Sequence, residues 1–219
     1  MELVIGEVLD RFTLDAIRET AKGVAFADGK ASAGKYAKGV KNNAQAAPSD
    51  DRQAILDTVE KALLASPVFQ SAARPHHFVS LILSRYRDGQ TYGTHVDDAL
   101  MAGGRTDLSF TLFLSEPDSY DGGELVIEDR LEDRAVKLQA GDMILYPSSS
   151  LHHVAPVTRG ERLAVVGWVT SWINDPRQRE ILFDLDQCIA EAWEKDGKTA
   201  HFDRLTKSRS NLLRMWAKG

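Results

Sequence analysis

The period of the apolar positions changes twice along the chain. Near the N-terminus, FTLDAIRETAKGV sets Leu14, Ile17 and Ala21 at helical spacing, and SDDRQAILDTVEKALLAS does the same for Ile55, Leu56, Val59 and Leu63. Ser49 and the two aspartates after it supply an N-cap and an acidic first turn for the second helix. Between them lies DGKASAGKYAKGVKNNAQAAP, poor in large apolar residues, which reads as a long loop over residues 28–48 of the kind used for lids and binding. From residue 77 the period shortens. HFVSLILSRYR, TDLSFTLFLS, GELVIED, AVKLQ, GDMILYP and RLAVVGWVTSWI are short β-like runs separated by Gly, Asp and Pro. Runs this closely spaced predict a β-sandwich, jelly roll or barrel. After Asn174-Asp175-Pro176 the helical period returns, with Ile181, Leu185, Cys188 and Ala192 on one stripe and Leu205, Leu212, Leu213 and Trp216 on another. Both stripes are expected to dock on the β core. The expected class is α+β with a mainly β core: a helical and loop region over 1–76, the core over 77–175 and a helical extension over 176–219.

Composition narrows the function classes. With 219 residues and 43% hydrophobic content the chain can bury one substantial core, and nothing suggests disorder or an internal repeat. A net charge of −5 argues against nucleic acid as a partner, because phosphate binding needs a clustered basic footprint. The single cysteine, Cys188, cannot form an intramolecular disulfide, which fits a reducing compartment. No membrane-length apolar run occurs and MELVIGEVLDRF lacks signal-peptide character, so a cytoplasmic protein without membrane contact is expected.

Candidate chemistry starts at His95-Val96-Asp97. On a strand, residues i and i+2 share a face, so both side chains can reach one point while Val96 packs behind them. The spacing alone is weak, since His201-Phe202-Asp203 matches too, but in a helical segment where i and i+2 diverge. A third ligand is available downstream at His152 or His153. Two histidines and a carboxylate suit non-haem Fe(II), and they also suit catalytic zinc. Arg162 lies ten residues after His152, an even separation that turns both to one interior if strand pairing is regular around Thr158-Arg159-Gly160, and it belongs to the apolar run Arg-Leu-Ala-Val-Val-Gly-Trp, where a buried guanidinium needs an anionic partner and fits a carboxylate bidentately. Its same-face neighbours are Ala164, Val166 and Trp168.

RYRDGQTYGTHVD, SYDGGELVIED, AGDMILYPSSSLHHVAPVTRGERLAVVGWV and the tail LTKSRSNLLRMWA together resemble the bacterial PKHD-type (prolyl/lysyl-hydroxylase-domain) members of the Fe(II)/2-oxoglutarate dioxygenases. The resemblance covers nearly the whole chain, most strongly residues 77 to 173. It implies a double-stranded β-helix (jelly roll) core, His95, Asp97 and His152 as Fe(2+) ligands, and Arg162 on the distal carboxylate of 2-oxoglutarate. Tyr86 matches a position whose hydroxyl contacts that co-substrate, and L-ascorbate is implied as an accessory reductant. The implied reaction consumes O2 and 2-oxoglutarate, hydroxylates an unidentified substrate and releases succinate and CO2. Motif register and the spacing to Arg162 select His152 over His153.

Other features have plainer readings. His76 and His77 lack a ligand partner at motif spacing, Gly122-Gly123-Glu124 is a turn lacking the parts of a phosphate loop, and the basic tail is a solvated helix face. Lys30, Lys35, Lys38, Lys41 and Asn42-Asn43 are read as keeping the early loop soluble, with contact to an acidic substrate as the alternative. Two further function classes remain open on the residues: a zinc hydrolase using the same triad, and a metal-binding jelly roll without turnover. The acceptor, a small molecule or a protein side chain, and homo-oligomer formation are left open.

Overall fold

The computed structural model describes residues 1–32, 34, 37–101 and 104–218. Two antiparallel sheets carry the site. The larger has seven strands in the order β1 (Leu3–Ile5), β13 (Met143–Pro147), β9 (Leu108–Phe113), β16 (Arg162–Ser171), β5 (Pro75–Tyr86), β4 (Ala44–Ala46) and β2 (Phe26–Asp28). The smaller has five, β12 (Arg134–Val136), β11 (Leu125–Ile127), β14 (His152–Val154), β6 (Thr91–His95) and β3 (Lys41–Asn42). Two short pairs complete the β structure: β10 (Asp121–Gly122) with β15 (Val157–Arg159), and β7 (Leu100–Met101) with β8 (Gly104–Arg105).

The period-2 pattern explains how the central strands serve two layers. On β9, Leu108, Phe110 and Leu112 join the core cluster shared with the N-terminal helices, while Phe113 faces the smaller sheet and Ser109 faces the cleft. On β13, Met143 and Leu145 enter the first cluster, Ile144 and Tyr146 the second. Alternation is set by the pleat, so a strand buried on both faces must place its polar residues where polar partners exist.

Helices α1 (Arg11–Lys22), α2 (Asp50–Ala65) and α3 (Pro67–Ala73) cover the larger sheet. Leu14, Ile17, Ala21, Ile55, Leu56, Val59 and Leu63 are all buried, as their spacing predicts. Ser49 accepts a hydrogen bond from the Arg52 N–H and so caps α2. Ser66 ends α2 and caps α3, with Pro67 as the first helical residue, where its missing N–H costs nothing.

Three expectations are corrected. The stretch read as a loop over 28–48 contains β3, β4, and 3-10 turns at Gly29–Ser32 and Ala37–Gly39, and so adds strands to both sheets. Backbone pairing to β5 and β6, and not apolar content, builds these strands. Helix α4 (Pro176–Asp196) buries a different stripe: Ile181 is half exposed and Cys188 exposed, whereas Arg179 and Leu182 are buried; helix α5 (Ala200–Trp216) keeps Leu205, Leu212, Leu213 and Trp216 half-buried, as their spacing predicts. Asp186, which bonds Ser71, Arg74 and Arg209, joins α4 to α3 and α5, so α5 stacks on α4. Ion pairing and a one-residue rotation of the helix account for the shift. Third, β14 and β16 belong to opposite sheets, and β15 between them pairs with β10. Parity along one regular hairpin is therefore not what brings His152 and Arg162 to the same interior. Gly122 forms the expected turn, with φ 72° and a backbone so close to Pro156 that no side chain fits.

Candidate metal and co-substrate site

The cleft between the two sheets has an empty volume of about 760 Å³. His95 and His152 are direct cross-strand partners in the β6–β14 ladder, with ring centroids 4.3 Å apart. Asp97 lies two residues past the end of β6. One ligand atom from each of the three lies within 4.8 Å of the others, the only such triad of donors among the described residues. His201 and Asp203 lie on α5 outside it. Val96 is half exposed at the cleft and does not pack behind the pair, because the strand ends at His95.

Hydrogen bonding fixes how the triad presents itself. His95 Nδ1 is 2.9 Å from the Gly93 carbonyl and His152 Nδ1 is 3.0 Å from that of Ser150. A carbonyl oxygen only accepts, so each Nδ1 carries the proton and each Nε2 presents its lone pair. Those Nε2 atoms lie 3.9 and 3.8 Å from the two oxygens of Asp97. Burial, reinforced by His152, pushes His95 down to about 4, so the imidazole stays neutral across the physiological range. Ser109 Oγ donates to Asp97 Oδ2 at 2.6 Å and is itself 2.8 Å from Ser148 Oγ. That bond holds the carboxylate rotamer.

A bulge in β6 shapes the wall. Between the His152–His95 and Val154–Tyr92 pairs, one residue of β14, His153, opposes two of β6, Gly93 and Thr94, which turns Tyr92 to the same side as His95, ring stacked at 3.7 Å. Gly93 sits inside the bulge, where a Cβ would come within 2.9 Å of Val40. Tyr146 closes the other side, its ring 5.2 Å from that of His152.

Arg162 begins β16 opposite Tyr86 on β5 and is 1% exposed. Its guanidinium carbon lies 5.3 Å from the Tyr86 ring centroid and 5.2 Å from that of Phe113. All three side-chain nitrogens are buried without a hydrogen-bond partner in the protein. Aromatic faces compensate part of a buried cation, and an unpaired planar fork calls for a bidentate anion. Burial raises the Tyr86 phenol above its ordinary value, so its hydroxyl stays a neutral donor. Val166 and Trp168 line the cleft on the same strand as Arg162.

Sequence reading missed several of these side chains. Ser109 and Tyr146 gave a faint signal, polar groups alternating with large apolar ones in buried strands. Tyr92 gave none, because a bulge defeats the period. Lys41 and Asn43, assigned to solubility, are 6% and 3% exposed and line the cleft; Lys35 lies outside the described residues. His153 points away, its Nδ1 3.5 Å from Glu128. His76 packs on Trp172, and His77 Nε2 lies 3.2 Å from the Thr170 hydroxyl.

Comparison with known proteins agrees with this geometry. Residues 81–170 match the model of the 2OG-Fe(II) oxygenase superfamily, and residues 177–218 match that of the PKHD-type hydroxylase C-terminal domain. A PKHD-type hydroxylase of Maricaulis maris is 52% identical over 204 residues, 93% of each chain. Another, from a Picosynechococcus species, is 50% identical over 214 residues, covering 97% of this chain and 98% of its own. Among solved structures, a prolyl hydroxylase from Trichoplax adhaerens in complex with a hypoxia inducible factor peptide superposes with a TM-score of 0.61 at 13% identity, covering 82% of this chain and 86% of its own. The viral collagen prolyl hydroxylase of Paramecium Bursaria Chlorella virus-1, in its 2OG complex, gives 0.54 at 17% identity, covering 78% and 95%. At such identities the likeness is one of fold.

Proposed function

Because the chain belongs to the PKHD-type hydroxylases of the Fe(II)- and 2-oxoglutarate-dependent dioxygenase superfamily, we propose a division of labour among its residues in that reaction. His95, Asp97 and His152 hold the iron. Arg162 receives the distal carboxylate of 2-oxoglutarate, and the Tyr86 hydroxyl donates to the same co-substrate. Bound iron supplies the activation of O2 that couples decarboxylation of 2-oxoglutarate, to succinate and CO2, with hydroxylation of the substrate.

The observation that carries this reading is the pairing of an unsatisfied buried guanidinium with a convergent donor triad in one cleft. Two imidazole nitrogens and a carboxylate oxygen match the facial donor set of non-haem Fe(II), and the rest of the coordination sphere is left to small molecules. The tautomers set by Gly93 and Ser150 deliver lone pairs without a deprotonation step. Ser109 keeps Asp97 aimed at the two imidazoles. Tyr92, Tyr146 and Trp168 wall the cleft, which excludes water from the reacting centre and orients the substrate. No side chain is required as nucleophile or general base.

The two facing sheets are read as the halves of a double-stranded β-helix spanning 77–175, with 1–76 and 176–219 as its flanking parts. Ascorbate is assigned the accessory task of keeping iron reduced, and the cytoplasm is the compartment proposed; no helix among the described residues is long and apolar enough to cross a membrane. Membership in an oxygenase family favours this chemistry over zinc hydrolysis and over binding without turnover. Succinate formation from 2-oxoglutarate tests it: slow O2-dependent formation without added substrate is expected from the iron-loaded protein, and its absence in wild type would count against the reading.

A further inference from the structure

Lys41 is a second cation in the cleft, and the division of labour above gives it no task. It lies on β3, the outermost strand of the smaller sheet, directly across the ladder from Tyr92, whose ring stacks on His95. The residue is 6% exposed, yet its ammonium faces the cleft rather than solvent. Nζ donates to Ser32 Oγ at 2.9 Å and sits 4.7 Å from the Tyr92 ring centroid. No carboxylate of the described residues reaches ion-pair distance; Asp97 and the exposed Asp28 act on it only from farther away.

A buried ammonium has three N–H donors to satisfy, and leaving charge desolvated without a counter-ion is costly. Asp97 cannot serve as that counter-ion once its charge is engaged by a metal. Nor is 2-oxoglutarate the natural partner. Arg162 stands on the opposite sheet, at the start of β16, and its own three nitrogens absorb one carboxylate. The keto-acid end belongs with the triad. Lys41 stands across the ladder from Tyr92 and is bonded to Ser32 of the 3-10 turn Gly29–Ser32, and both residues line the cleft.

Building on the proposed iron and 2-oxoglutarate site, we infer that Lys41 binds a carboxylate carried by the substrate to be hydroxylated, while Ser32, whose hydroxyl accepts from Nζ and donates to the Gly29 carbonyl, holds the ammonium in place. The substrate class is thus a carboxylate-bearing molecule, positioned with its acid group beside Tyr92 and the rest of it directed toward the triad. Lys41 acts as a specificity residue, and Ser32, Lys41 and Asn43 form part of a substrate wall.

The test compares N-acetylglycine with N-acetylglycinamide, and propionate with propionamide, by anaerobic calorimetric titration of protein loaded with Fe(II) and 2-oxoglutarate. Wild type and Lys41→Arg should bind each carboxylate about tenfold more tightly than its amide, the scale of one charge-assisted hydrogen bond. Lys41→Met should lose that preference while its 2-oxoglutarate affinity, read from the visible band of the Fe(II) complex, stays within about twofold of wild type and its melting temperature does not fall. Equal binding of carboxylate and amide by wild type would overturn the inference, and so would a parallel loss of 2-oxoglutarate affinity in Lys41→Met. A wild-type protein giving no 2-oxoglutarate band would fault the co-substrate reading instead. The same comparison on metal-free Arg162→Met, with and without Lys41→Met, then decides for or against Lys41.

Discussion

Arg162 and Tyr86 face each other as direct cross-strand partners of β16 and β5, with the guanidinium carbon 5.3 Å from the ring centroid. The two residues are adjacent in the sheet although they are far apart in sequence. Cross-strand neighbours on one face share an environment, so removing either changes what the other can do. Tyr86→Phe keeps the aromatic face under the cation and deletes only the hydroxyl. Affinity for 2-oxoglutarate should fall about three- to tenfold, the worth of roughly 1 kcal/mol for one hydrogen bond. Arg162→Met should cost far more, about a hundredfold or greater, yet leave the metal-free protein no less stable, because it removes a buried cation without a protein partner. Titration of 2-oxoglutarate and thermal melts of the apoprotein check the two halves separately.

Ser109 donates to Asp97 across the cleft floor. Outer hydrogen bonds to metal-ligating carboxylates fix their orientation, and losing one weakens metal binding by about ten- to a hundredfold. Ser109→Ala should do so without unfolding the protein, since the site is small and the alanine fits. Iron affinity equal to wild type in this variant would remove Ser109 from the account.

His152 and His153 are adjacent but point to opposite faces of β14. His152 is buried at 4% and aims at Asp97, whereas His153 reaches toward Glu128. His152→Ala should abolish tight iron binding, and His153→Ala should leave it within about twofold of wild type. The reverse outcome would exchange their roles.

Burial of His95 sets a pH dependence. Its pKa is about 4 in the fold and 6.5 in a free side chain. Between those values the unfolded chain binds the additional proton, so stability of the metal-free protein should rise with pH through this window and fall as pH is lowered from 6.5 toward 4. The full effect is on the order of 3 kcal/mol. Urea melts of apoprotein across the window, compared with His95→Gln, measure it; a flat profile in wild type would show that His95 is not desolvated.

The fold was largely legible because its signals are periodic. Leu14, Ile17, Val59 and Leu63 announce helices by spacing, and the alternation in TDLSFTLFLS announces a strand, although its burial on both faces shows only in the fold. His95 and Asp97 could be chosen as candidates from their i, i+2 spacing, Arg162 because a guanidinium is costly to bury unpaired, and His152 from its spacing to Arg162 and the resemblance to the PKHD-type hydroxylases. What escaped the sequence was created by pairing. The bulge that turns Tyr92 toward His95 and the short strand that carries Lys41 to the cleft depend on partners distant in sequence. On α4, the ionic contacts of Asp186 and burial of Leu182 determine the packed face, against the apparent stripe through Ile181 and Cys188.

The central claim is that the triad and Arg162 form one iron and 2-oxoglutarate site, and an anaerobic titration of Fe(II)-loaded protein with 2-oxoglutarate tests it most directly. Wild type should give a visible metal-to-ligand charge-transfer band, Asp97→Ala none, and Arg162→Met a band only at about a hundredfold higher 2-oxoglutarate. A full band in Asp97→Ala, or an unchanged 2-oxoglutarate dependence in Arg162→Met, would contradict it.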